Sequence, residues 1–492
     1  MKLIYDINDR PGLGKTIVFA FQQMIAIMAA TLLVPMIMTG YTNGAIKFDP
    51  AAALCGAGIG TLVYLFFTKR RSPVFLGSSF TFLGAYAAVL SSNYGYWGVI
   101  IGIAFAGLVY VVLALVIKAT GSAWVNKLMP AVIIGPIVCL IGLSLSSTAT
   151  GWMQTNGGSN YSLITICVGV FTFLAIVFAS IKGTKGMKLI PFIIGIGAGY
   201  ILALILTVIG NAANVEALKI LDFTPFKEAF SPFKFTSILD YPKFTFLKAF
   251  ETKMVDASEI AEGTYGAAKL SGADIANIAL TFIPIGVVEL AQHIADHKNL
   301  SNIVNRDLIT DPGLDKTLLG DGVGSIVGGF FGGAANTTYG ESIGCVAITG
   351  NASIVSILGA AIGCMALSFF TPFVAFINSI PKCVMGGACI AMYGFIAVSG
   401  LQMLKNVDLG NSKNLFVVSA ILVCGIGGLA LNFGTNSMTG GALLSISALA
   451  TAMIVGIITN LLVHNGKMSD GDDNMVSGHA ENMGNVKDPE TK

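Results

Sequence analysis

Thr16 to Met38 reads TIVFAFQQMIAIMAATLLVPMIM, a block with no charge after Lys15. A run of roughly 18 or more apolar residues can cross the hydrocarbon of a bilayer as a helix, whereas one of about 12 cannot. Lipid offers nothing to satisfy backbone N–H and C=O groups, so a run of this kind must be helical. The rest of the chain repeats the pattern. Of its 492 residues, 54% are hydrophobic and only 11% are charged, with a mean hydropathy of +0.78. Soluble domains carry about 25% charged residues, so this chain has less than half the usual means of covering a surface for water. A soluble α/β protein is excluded, and a bilayer is the expected surrounding.

Residues 1–15, MKLIYDINDRPGLGK, are polar and precede the first apolar run, so no cleavable signal peptide is expected there. The formal charge of +2 gives no reason to expect a nucleic-acid partner, because the Lys and Arg residues sit between apolar runs. Eight cysteines (55, 139, 167, 345, 364, 383, 389 and 424) form no C-x-x-C pair and read as small buried hydrophobes.

Apolar segments fall near 16–40, 51–68, 73–90, 96–118, 126–148, 160–182, 188–210, 272–296, 319–334, 335–350, 352–377, 380–404, 415–432 and 442–465. The expected fold is therefore an all-α polytopic membrane protein of 14 transmembrane segments. Segments three and ten make poor helices. The first begins at Pro73 and contains Gly77-Ser78-Ser79-Phe80-Thr81-Phe82; the second contains Asn336-Thr337-Thr338-Tyr339-Gly340-Glu341 after a glycine-rich stretch. Extended backbone survives at membrane depth only where protein or a cavity covers it. Each break is the third segment of its set of seven. Seven spans per half turn the second half over relative to the first, giving a 7+7 inverted repeat with short extended stretches in segments 3 and 10. Matched breaks of this kind point to a transporter's binding site.

Lys69, Arg70 and Arg71 follow segment two, Lys118 and Lys127 flank the loop after four, and Lys182, Lys185 and Lys188 follow six. Lys298, Arg306 and Lys316 follow segment eight, and Lys405 and Lys413 follow twelve. This asymmetry places the even-numbered loops and both termini in the cytoplasm. Residues 211–271 then form a long external loop, and the polar tail 466–492 is expected to be a disordered cytoplasmic extension.

Most of the charge lies in loops, so charges within segments are informative. Segment eight carries Gln292, His293 and Asp296 within about 60° of Glu289 at about 100° per residue, which reads as one polar stripe. An ionisable group inside a membrane costs at least about 2.5 kcal/mol at mid-helix and is usually kept for a substrate or ion path. Asp296 and His297 also admit the plainer reading that they already sit at the cytoplasmic interface. Glu341 follows a short extended stretch and opens a helix, where free backbone N–H groups are exposed, and Gly340 lets a ligand approach the backbone closely. N–H donors beside a carboxylate suit a ring with C=O and N–H side by side. Capping of the following helix explains a Glu in the first turn, but not this whole neighbourhood. Phe80 is the counterpart in segment three, offering a backbone N–H and a ring for stacking. The proton-coupling candidates are Glu341, Glu289 and Asp296.

At these residues the chain resembles the nucleobase–ascorbate transporter family (nucleobase cation symporter-2), in its bacterial uracil permease branch. The resemblance rests on GSSF at 77–80, NIVNRDLITDPGLDKTLLGDGVGSIVGGFFGG at 302–333, NTTYGESIGCVAITG at 336–350 and PKCVMGGACIAMYGFIAVSGL at 381–401. It implies import of uracil by proton symport, with alternating access as a core domain (16–118 and 272–377) moves against a gate domain (126–210 and 380–465). It also implies a homodimer in the bacterial inner membrane, with H⁺ as coupling ion and no cofactor. Substrate contacts carry over to Phe80, Gly340 and Glu341, with Tyr339 close by. The family's segment-eight Glu falls on Gln292, and a His in segment one of related permeases on Gln23. Gln292 can donate and accept but cannot titrate, so base recognition is expected to survive while the coupling proton passes to another carboxylate. Glu341, where xanthine-type relatives carry Gln, points to a pyrimidine, with a xanthine or purine-base permease as the alternative.

Two further readings make distinct demands on the sequence. A sulfate-permease-like anion carrier of similar build would bring a cation to the site and a folded domain after the last segment. A membrane-embedded enzyme would need a nucleophile–base pair or metal ligands; His293 and His297, four apart on one helix, offer half a zinc site and no third ligand. No enzyme activity and no metal are expected.

Overall fold

A computed structural model describes residues 3–122, 124–125, 130–158, 160–184, 187–261, 264–435 and 442–463. The tail 466–492 lies outside the described residues. The first half runs α1 (Leu13–Tyr41), α2 (Pro50–Phe67), β1 (Leu76–Ser78), α3 (Leu83–Ser91), α4 (Gly95–Thr120), α5 (Ala131–Ser144), α6 (Ser146–Thr155), α7 (Leu163–Ile181) and α8 (Pro191–Ala213). A crossover carries α9 (Thr224–Phe230) and α10 (Thr245–Glu251). The second half runs α11 (Gly272–Val304), α12 (Leu314–Gly332), β2 (Asn336–Thr338), α13 (Gly340–Thr349), α14 (Ile354–Ser368), α15 (Thr371–Ser379), α16 (Lys382–Met403), α17 (Ser412–Ile426), β3 (Leu431–Thr435), β4 (Ala442–Ile446) and α18 (Ala448–Val463). Eight of the described helical runs are long and apolar enough to cross a membrane, counting α5 and α6 as one, and α14, α17 and α18 are shorter apolar helices. This is a multi-pass membrane protein.

Helix ends follow local chemistry. Asp49 accepts from Ala51 N–H at 2.9 Å ahead of Pro50, and Ser271 with Asp274 forms a capping box at the start of α11. Asn214 and Asn305 close α8 and α11 in the left-handed conformation. Several expected segments are divided. Segment eleven breaks into α14 and α15 where Pro372 restarts the helix. Segments thirteen and fourteen are not wholly helical either: Gly427 and Gly428 stop α17, and β3 pairs antiparallel with β4 before α18 begins. Extended backbone is therefore not confined to segments 3 and 10. The crossover is also more than a loop, because Phe246 stacks on Phe330 at 4.7 Å and Phe244 meets Phe331 edge-on.

The two breaks form one element. β1 pairs antiparallel with β2 in the register Leu76↔Thr338, Gly77↔Thr337, Ser78↔Asn336. The pairing extends outward through Ser79 N–H to Ala335 O (2.8 Å) and Tyr339 N–H to Phe75 O (3.3 Å). Side chains satisfy the outer edges: Leu76 N–H donates to Thr61 Oγ1 at 2.9 Å, and Ser325 Oγ donates to Asn336 O. Buried backbone polar groups must find such partners. α2 and α12 flank the strands closely because Gly56 and Gly328 face each other; a Cβ on Gly56 would overlap the Gly328 carbonyl, and one on Gly328 the Asn336 side chain. Six of the eight cysteines are buried as expected, whereas Cys167 is exposed and Cys424 half-buried on outward helix faces.

Candidate functional site

A cavity of about 550 Å³ opens where α3 and α13 start beside the paired strands, with α11 on one side and α16 on the other. Phe80, Gln292, Tyr339, Gly340, Glu341 and Asp296 all line it. Gly340 is the first residue of α13, whose N-cap Tyr339 makes no side-chain cap, and the first bond back along the helix runs from Ile343 N–H to Tyr339 O. The earlier amides of that turn have no acceptor inside the helix. Glu341 sits in the same turn, in a position that the helix dipole favours for a carboxylate.

The aromatic walls are fixed from behind. Phe80 meets Tyr393 edge-on, with centroids 5.4 Å apart. The Tyr339 hydroxyl donates to Ser78 O at 2.7 Å, so it ties the two strands together and leaves the cavity an aromatic surface rather than a donor. Its ring lies over Gly77, where a Cβ would collide with it. Thr338 Oγ1 donates to Asp296 Oδ2 at 3.1 Å, turning that carboxylate along the cavity edge.

The expected single stripe on segment eight is two stripes. Gln292, Asp296 and Asn299 reach the cavity. Glu289, His293 and His297 face into packed protein and are 1%, 1% and 0% exposed. Glu289 accepts from Ser79 Oγ at 3.2 Å, so it braces the segment-three stretch from behind. His297 is not at an interface: its Nδ1 donates to His293 O at 2.8 Å, and its Nε2 lies 2.8 Å from the Tyr64 hydroxyl. His293 contacts Asp321 Oδ2 through Nδ1 (2.6 Å) and Thr317 Oγ1 through Nε2 (3.1 Å). All four ring nitrogens are therefore engaged, and the described residues contain no cluster of His, Cys, Asp and Glu able to hold a metal.

Gln23 stands away from the cavity and donates to Ser342 O at 3.2 Å and to Ser342 Oγ, which also accepts from Phe75 N–H. Sequence reading passed over Asp321, although a charge inside segment nine, 319–334, is the same signal that drew attention to Glu289. It also passed over Lys188 and Asn299, which line the cavity, and Tyr393, which lies within the 381–401 motif.

Helix starts that meet across paired strands at a cavity, in a chain of apolar helices, define a membrane transporter rather than an enzyme. The chain belongs to the nucleobase–ascorbate transporter family: the Xan_ur_permease model, described as "Permease family", matches residues 14–434. It is 35% identical to the uracil permease of Bacillus caldolyticus over 464 residues, 94% of this chain and 95% of that one. It is 33% identical to the uracil permease of Bacillus subtilis (strain 168), covering 96% and 98%. Among solved structures, the transmembrane domain of the cyanobacterial bicarbonate transporter BicA matches with a TM-score of 0.54 at 13% identity, covering 92% of this chain and 99% of that one. SLC26A9 matches with a TM-score of 0.58 at 12% identity, covering 92% and 66%. These two establish the fold alone.

Proposed function

We propose that this protein imports uracil by proton symport. The observation that carries the reading is the convergence of Phe80, Gln292, Tyr339, Gly340 and Glu341 on one cavity at the start of α13, in a chain whose relatives are uracil permeases. The base lies against the Phe80 ring. Its lactam edge, N–H beside C=O, meets the Gln292 amide, which can donate and accept at once. The Gly340 N–H donates to a ring carbonyl, the Glu341 carboxylate accepts from a ring N–H, and Tyr339 closes the wall.

The coupling proton is taken up at Glu341 or Asp296, the carboxylates that line the cavity. Glu289 reaches it only through the side chain of Ser79. No cofactor takes part. Glu341 and Asp296 oppose an anionic substrate, although Lys188 also lines the cavity. A purine base such as xanthine is the second reading, favoured by Gln292 standing opposite Glu341, since amide and carboxylate together also complement an imide ring.

The architecture is read as fourteen spans in a 7+7 inverted repeat. Packing supports this, because contacts recur in matched pairs: α4 on α11 with α14 on α1, α4 on α12 with α14 on α2, and α7 on α8 with α17 on α18. α1–α4 with α11–α14 form the moving core, and α5–α8 with α16–α18 the gate. With the Lys-rich loops in the cytoplasm of a bacterial cell and both termini inside, the Lys188 end of the cavity faces inward. A second copy completes a homodimer in the inner membrane.

Radiolabelled uracil uptake into proteoliposomes, with and without an inward proton gradient, tests the reading on wild type, Glu341→Gln and Gln292→Glu. Gradient-stimulated uptake that Glu341→Gln abolishes is the expected result. Saturable binding without any gradient response, restored by Gln292→Glu, overturns the coupling assignment, and absence of uracil binding in every variant overturns the substrate.

A further inference from the structure

The His293–Asp321 contact lies behind the substrate strands, and its hydrogen-bond geometry accommodates two proton counts. Thr317 Oγ1 donates its proton to Leu314 O at 3.2 Å. In that rotamer its oxygen, 3.1 Å from His293 Nε2, accepts, and Nε2 carries a hydrogen. His293 Nδ1 and Asp321 Oδ2 are 2.6 Å apart. With Nε2 protonated, a neutral imidazole and an ionised carboxylate would set two acceptors against each other at that distance. One further proton must lie between them, whether drawn on the ring or on the carboxyl.

The pair can also release that proton while both imidazole nitrogens stay hydrogen-bonded. If His293 moves its remaining hydrogen to Nδ1 and donates to the Asp321 carboxylate, Nε2 becomes an acceptor. The Thr317 hydroxyl then rotates from Leu314 O to Nε2. Loaded and empty states differ by one proton and one hydroxyl rotation, and both are hydrogen-bonded. The side chains of His293 and Asp321 are fully buried. The neighbouring titratable groups are Glu289, Asp296 and His297 on α11, whose His297 ring stacks on His293 at 4.1 Å, Tyr110 on α4, edge-on to His293 at 5.8 Å, and Tyr64 on α2, bonded to His297. None brings a Lys or Arg. α12, which carries Asp321, is bonded to β2 through Ser325 Oγ to Asn336 O, and the Thr338 hydroxyl of that strand donates to Asp296 in the cavity wall. β2 thus links the pair to the substrate side.

We propose that His293 and Asp321 form a second proton-binding site, behind the substrate cradle, that acts on the cavity through Thr338 and Asp296. It rests on the reading of this protein as a proton-coupled carrier. Asp321→Asn separates protonation from support, because the Asn amide can still donate to His293 Nδ1 while the pair no longer binds the extra proton. In proteoliposomes this variant is expected to bind uracil within about threefold of wild type and to exchange labelled for unlabelled base. Its stimulation by an inward proton gradient falls about tenfold or more, and its uptake loses its pH profile. Gradient-stimulated uptake equal to wild type overturns the proposal.

Only four histidines are present, so ¹⁵N-histidine spectra of the wild-type protein give an independent arm should Asp321→Asn fail to fold. A buried His293 resonance whose two nitrogens exchange protonated and unprotonated shifts between acidic and alkaline buffer is expected. One whose shifts stay fixed overturns the proposal. Wild-type uptake that ignores the gradient would instead refute proton symport, and the spectra would still report whether the pair titrates.

Discussion

α11 presents two chemistries on neighbouring faces. Gln292, Asp296 and Asn299 point into the cavity, whereas Glu289, His293 and His297 point into packed protein. At about 100° per residue, Gln292 lies about 60° to one side of Glu289 and His297 about 80° to the other. The front face keeps groups with spare hydrogen-bonding capacity, of which Asp296 has one contact from Thr338. On the rear face every histidine nitrogen is spoken for and Glu289 accepts from Ser79 Oγ. Polar residues in a membrane helix thus serve two ends: open ones meet solutes, and satisfied ones hold unusual backbone in place.

Substitutions that separate the faces put that contrast to the test. The largest effect is expected from Gly340→Leu on the cavity side. A Cβ there meets only Asp296 Oδ1 at 3.9 Å, so the protein tolerates the side chain while the cavity loses space. Uracil binding, read by equilibrium dialysis, should weaken about a hundredfold or more, with melting temperature little changed. Glu289→Ala should do the reverse. Removing the carboxylate leaves the Ser79 hydroxyl without its acceptor, costing about 1–3 kcal/mol, visible as a lowered melting temperature in detergent. Uracil affinity of the folded fraction should stay within about threefold. The smallest effect on transport is expected from Tyr64→Phe, which deletes the hydroxyl's hydrogen bonds to His297 and Ser72 for about 2 kcal/mol and should leave uptake within about twofold. A Tyr64→Phe protein that loses transport but not stability would erase the distinction between the faces.

What could be read beforehand follows the range of each physical signal. Gly77-Ser78-Ser79-Phe80 and Asn336-Thr337-Thr338-Tyr339-Gly340-Glu341 interrupt apolar runs, and helix breaking is local, so both extended stretches and their shared site were legible. Periodicity placed Glu289, Gln292, His293 and Asp296 on one side of a helix, but a helical wheel gives angles and not neighbours. Which face meets the cavity depends on β1, β2 and α12, all distant in sequence. The same limit hid Asp321, whose partner is 28 residues away on another helix. The restart at Pro372 and the hairpin after Gly427-Gly428 carried local signals, but continuous apolar composition masked them.

The small sheet under the cavity also sets a schedule for making the protein. Tyr339 and Ser78, which close it, are 261 residues apart in the chain. At about 5–20 residues per second, a ribosome needs roughly 13–50 s to deliver the second strand after the first. During that interval β1 stands in the bilayer without its partner, and only nearby groups such as Thr61 Oγ1, 15 residues away, can occupy its amides. Thr61 therefore serves the nascent chain as well as the finished one, keeping an unfinished strand from seeking company elsewhere until its mate arrives.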